Sequence, residues 1–126
     1  MRSWLMPQDE LQELKKASEG LLYPSETDAP FEPFRWGGGG GDSARDQVAG
    51  HARKKQKIEE VAVDDFFAEL EGSEDAERFR QLRKALESQL AGLKVFRVGS
   101  IRVDIYLIGK TRGGEWGGLH TISVET

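Results

Sequence analysis

No cysteine occurs anywhere in the chain. Disulfide frameworks, thiolate nucleophiles and cysteine-ligated zinc are therefore excluded, and the redox compartment is left open. Histidine is almost as scarce. His51 and His120 are the only imidazoles, no serine stands in a nucleophile elbow, and there is no His-Glu-x-x-His, EF-hand or phosphate-binding loop. The glycine run 37–41 is not followed by Gly-Lys-Ser/Thr and opens no helix. An enzyme is not expected, and no cofactor is implied. Long apolar runs are missing too: the N-terminal stretch around Trp4-Leu5-Met6 is too short for a signal peptide and nothing later approaches a membrane span, so a cytoplasmic location is expected.

What is present fits one domain over residues 1–126, because a chain of this length supports a single core. Its charge is unevenly placed. Residues 1–32 hold three bases against seven acids, which accounts for the whole net charge of −4, while the remainder balances at 15 of each sign. A basic partner would be steered toward that first quarter.

Pro7 suits the first turn of a helix with Leu11, Leu14, Ser18 and Leu21 inward and Gly20 as its stop. Pro24 and Pro30 bound a loop that contains Glu26. Phe31 to Trp36 reads as a strand, and Pro33 makes it an edge strand because the ladder loses an N–H there. Residues 37–57, opened by five glycines and closed by Arg53-Lys54-Lys55-Gln56-Lys57, read as a flexible, poorly ordered excursion. Residues 60–63 read as a short extended piece, with Asp64 or Asp65 capping a helix that carries Phe66, Phe67 and Leu70.

Ser73 is the expected cap of the main helix, from Glu74 to Ala91, with Phe79, Leu82, Leu86, Leu90 and Leu93 repeating at helical spacing and Gly92 as its end. Three strands follow, over 94–98, 101–111 and 116–125. In the middle one, Ile101, Val103, Ile105 and Leu107 share one face and Arg102, Asp104, Tyr106 and Ile108 the other. Apolar residues on both faces call for cover on both sides, so an α+β fold is expected: an α/β/α sandwich on an antiparallel meander.

The last strand runs to the end of the sequence, which should place Glu125 and Thr126 on or just beyond the sheet's edge. A terminal threonine offers a hydroxyl and a carboxylate, hard oxygens of the kind Mg²⁺ accepts. One such end completes a metal site only in trans. From composition alone, Glu26 reads as a solvated turn residue. The basic run 53–57 is a solvated run or, alternatively, a nucleic-acid contact, although no aromatic residue is interleaved with it. His120 reads as a strand residue, near the surface or hydrogen-bonded.

The chain resembles the nuclease A inhibitors. The likeness runs in order through residues 14–23, Ser25-Glu26, Pro30-Phe31-Glu32 with Phe34 and Trp36, Val63-Asp64 with Phe66-Phe67, 95–99, 104–109 and Val124-Glu125-Thr126. It implies a sandwich similar to the pathogenesis-related protein 1 fold. It also implies a heterodimer with a sugar-nonspecific DNA/RNA endonuclease, whose active site is blocked by the loop glutamate, here Glu26, and by the terminal threonine, here Thr126, on the nuclease's Mg²⁺. No nucleic acid or membrane is then expected as a partner, and the protein is expected to be a monomer alone. Before the long helix the family makes a polar and aromatic contact. This chain has Glu71-Gly72-Ser73-Glu74-Asp75-Ala76, without an aromatic residue, and Glu74 is the substitute candidate. The insertion after Trp36 is unlike the family. A nucleic-acid-binding protein using 53–57, or an interaction domain with another target, are the alternative readings.

Overall fold

The computed structural model describes residues 10–24, 28–36, 43–51, 56–72 and 74–124. Among them are four helices, α1 (Glu10–Ser18), α2 (Ala44–His51), α3 (Val63–Leu70) and α4 (Ala76–Gln89). Seven strands accompany them: β1 (Leu22–Tyr23), β2 (Ala29–Pro30), β3 (Glu32–Trp36), β4 (Ile58–Val61), β5 (Ala91–Val98), β6 (Arg102–Lys110) and β7 (Trp116–Val124). The β1–β2 hairpin stands apart from a five-stranded sheet of order β3-β7-β6-β5-β4, in which every pairing is antiparallel. The fold is α+β.

Alternation along β6 sorts the core into two layers. Val103, Ile105 and Leu107 join a large cluster with Leu14 of α1, Phe67 of α3 and Phe79, Leu82 and Leu86 of α4. Ile108 points the other way, into a smaller cluster with Phe96, Val98 and Trp116, against which Ala44 and Val48 of α2 are buried. Helices thus cover both faces, three on one side and one short helix on the other. Each fully buried Phe or Leu side chain contributes about 1.5–3 kcal/mol relative to exposure, so the three-helix face carries most of the stabilisation.

Residues 44–51 correct the expectation of a poorly ordered excursion. Ala44 and Val48 lie one turn apart, so a single narrow stripe is enough to dock the helix. Ser43 supplies the cap: its hydroxyl accepts from the Asp46 N–H at 3.2 Å. Arg45 then donates to the Ile58 carbonyl at 3.4 Å, tying α2 to β4. The glycine run lies outside the described residues.

Boundaries shift at three further points. Val63 belongs to α3, so Asp64 and Asp65 are first-turn acids, favourable to the helix dipole, and Ala62 holds the N-cap position. Asp75 rather than Ser73 is the N-cap of α4, and Ser73 lies outside the described residues. The helix gives way at Leu90, whose extended backbone starts a longer β5 while its side chain stays in the core. Gly92, at φ +65°, therefore sits in the register shift between the Ala91 and Lys94 pairings with β6 and does not end the helix.

Pro33 is on an edge strand, as its missing N–H requires. Its neighbour β7 is interior, flanked by β3 and β6. Its close packing needs Gly118: φ is +155°, and a Cβ there would collide with the Leu107 carbonyl of β6.

Candidate functional site

Strand directions bring three separate pieces of chain to one end of the sheet. β7 finishes at Val124 opposite Arg102, the first residue of β6, and β5 finishes at the same end with Val98 opposite Asp104. α4 packs on β5 and enters it through Leu90, so its first turn lies toward that end as well. β3 runs against β7, pairing Glu32 with His120, and tracing the chain back from Glu32 leads along the last residues of β7 to β2 and the hairpin.

The hairpin is held stiffly at its base. Tyr23 of β1 is buried and stacks on Phe66 of α3, with ring centroids 5.7 Å apart and planes 7° apart. Phe31 meets Tyr23 edge-on at 6.3 Å and Phe79 of α4 at 6.1 Å. Thr121 of β7, itself buried, donates from its hydroxyl to the Ala29 carbonyl of β2 at 3.3 Å. On the other side Arg78 of α4 donates to the Glu19 carbonyl at 2.6 Å, closing the first turn of α4 onto the end of α1. Asp28, where the loop returns to β2, has φ +40°, a left-handed conformation that aspartate tolerates better than most residues.

Glu26 and Thr126 lie outside the described residues. The described positions nearest them, Pro24 and Asp28 for the loop and Val124 for the last strand, belong to the two elements that the Thr121–Ala29 hydrogen bond joins. Glu74 is exposed in the turn before α4. In the basic run, Arg53, Lys54 and Lys55 lie outside the described residues, while the Lys57 carbonyl accepts from the Gly99 N–H at 2.9 Å, fixing the start of β4 to the β5–β6 turn. Among the described residues no three His, Asp or Glu side chains gather as a metal site, and no helix is long and apolar enough to cross a membrane.

A second feature lies on the one-helix face, whose helix α2 packs mainly on β5 and β6. Glu32, Pro33, Phe34, Trp36, Tyr106 and His120 line a cleft of about 240 Å³. Its rings meet at steep angles: Phe34 and Trp36 at 39° and 4.6 Å, Phe34 and Tyr106 at 87° and 5.8 Å, Trp36 and Tyr106 at 58° and 5.4 Å. His120 Nε2 is 2.9 Å from Asp104 Oδ1. An ionised carboxylate only accepts, so Nε2–H donates, and in the neutral ring Nδ1 is left as an acceptor. Burial first, and then the negative charge of Asp104, hold the Tyr106 phenol above its usual pKa. It stays a neutral hydroxyl at physiological pH.

Alternation along each strand places Phe34 with Trp36 and Tyr106 with Ile108. What sequence reasoning missed is the adjacency of β3 and β7, which are about 80 residues apart and paired only through the topology. A family model for the nuclease A inhibitor-like protein matches residues 8–126, nearly the whole chain. No curated protein matches it.

Proposed function

The chain belongs to the nuclease A inhibitor-like family, and from that premise we propose that it is a non-catalytic inhibitor of a Mg²⁺-dependent, sugar-nonspecific DNA/RNA endonuclease. Supporting the reading is one observation above all: the hairpin that holds the Glu26 loop and the strand that leads to Thr126 are tied together at one end of the sheet by Thr121 and Ala29. In this proposal Glu26 takes the place of a phosphate. Thr126 offers hydroxyl and carboxylate oxygens, a donor set suited to Mg²⁺, and the metal is the nuclease's own. Glu74, exposed before α4, adds a third carboxylate to the same contact.

Electrostatics favours this orientation. A groove that binds nucleic acid is basic, and the acidic first quarter of the chain contains α1 and the hairpin. The partners form a heterodimer in which occlusion of the groove is the whole mechanism.

Plasmid cleavage by such a nuclease, titrated with the protein, tests the proposal. Inhibition near a one-to-one ratio is expected, weakened by Glu26→Ala and by residues added after Thr126, with a metal-independent nuclease unaffected. Undiminished inhibition by the extended protein would remove Thr126 from the mechanism. Absence of inhibition across several such nucleases, by folded protein, would overturn the proposal.

A further inference from the structure

We propose that the cleft between Glu32, Phe34, Trp36, Tyr106 and His120 receives an arginine side chain of the partner protein. The identity of that partner rests on the inhibitor reading above; the chemistry of the cleft does not.

Three properties select the occupant. First, the rings offer no single flat face. Phe34, Trp36 and Tyr106 pack on one another at interplanar angles of 39°, 58° and 87°, whereas a nucleobase needs a broad face on which to lie parallel. Second, the potential is negative. Aromatic faces are electron-rich, Glu32 stands exposed at the rim, and Asp104 lies directly behind His120. Among the described residues that line the cleft, none is a lysine or arginine. A phosphate or carboxylate would be repelled here. Third, the acceptor suits a flat donor: the Glu32 carboxylate can take two parallel N–H bonds. A guanidinium is planar, weakly hydrated and able to stack on Trp and Tyr while it bonds to a carboxylate. The lysine ammonium is compact and strongly hydrated, and fits less well.

Position supplies the partner. Glu32 pairs with His120, and beyond His120 the same face of β7 continues through Ile122 to Val124, at the end where the hairpin and the last strand meet. The cleft is thus continuous with the proposed inhibitory end. A nuclease groove that holds phosphates carries basic side chains along its rim, and one of them would face this opening.

Arginine methyl ester is titrated into the isolated protein while the Trp36 indole N–H and the Tyr106 and His120 resonances are followed by NMR, with norleucine methyl ester as the uncharged control of similar length. Saturable shifts are expected with the arginine ester alone, and they should diminish in Glu32→Gln, an exposed change that leaves the fold intact. In parallel, Kd for the nuclease is measured for the native protein, Glu32→Gln and Phe34→Leu, with an increase of about fivefold expected for each variant. No shift with the arginine ester, or equal shifts with both esters, would overturn the cation site. Shifts with unchanged nuclease affinity in both variants would overturn the assignment of its occupant to the nuclease. Native protein that takes up arginine ester but binds no nuclease would instead overturn the inhibitor reading, and the partner assignment with it.

Discussion

The two faces of the central sheet are built to different standards. On one, α1, α3 and α4 bury a continuous cluster in which Leu14, Phe67, Phe79, Leu82, Leu86, Ile105 and Leu107 are all but inaccessible. On the other, α2 covers Phe96, Val98 and Ile108, while Phe34, Trp36, Tyr106 and His120 near the β3 edge remain partly open. Stability is concentrated where cover is complete. Recognition has room only where it is not, because a half-covered aromatic side chain still has a face to offer.

Phe79→Ala should break the three-helix face most severely. The buried ring meets Phe31 edge-on beside the hairpin, so its removal leaves a cavity that also undermines the hairpin, at about 3–5 kcal/mol of stability. Urea unfolding followed by circular dichroism measures it, and a loss below about 1 kcal/mol would show that the site collapses around the gap. Gly118→Ala should rank next, at about 2–4 kcal/mol, because both its backbone conformation and the Leu107 carbonyl oppose a side chain. It disturbs both faces alike, so it calibrates the sheet itself.

Val48→Ala probes the sparse face, with an expected loss of about 1–2 kcal/mol. If it cost as much as Phe79→Ala, the asymmetry between the faces would be wrong. The same helix explains what the sequence left unread. Leu82, Leu86 and Leu90 repeat at helical spacing, and β6 and β7 alternate over much of their length, so the long helix, the meander and the edge position of Pro33 were legible. Among its described side chains α2 buries only Ala44 and Val48, too weak a period to stand out beside the glycine run. β1 and β2, at two residues each, carry no period at all. Their pairing comes from Tyr23 and Phe31 settling on Phe66 and Phe79, a tertiary event. For the site, the acidic loop and the last strand were legible as separate segments, whereas their meeting at one end depends on β7 lying between β3 and β6. The same long-range adjacency hides the aromatic cleft.

Thr121→Val is the smallest change and the most discriminating. Valine keeps the shape and burial of the threonine but deletes the hydroxyl that reaches the Ala29 carbonyl, so global stability should fall by only about 1 kcal/mol. The local effect should be larger than that figure suggests. Within the sheet β7 is held by its ladders to β3 and β6, while β2 pairs only with β1 and touches β7 from the side, so the lost bond loosens the hairpin rather than the strand. Hydrogen exchange should speed up at the amides of residues 22, 23 and 29 and stay unchanged in β6. Nuclease inhibition should weaken with it, because hairpin strands that must be ordered on contact bind less tightly than strands already in place. A variant whose hairpin exchanges faster but which inhibits as well as the native protein would separate the anchoring of the loop from its use, and would return the weight of recognition to the last strand and the open face beside it.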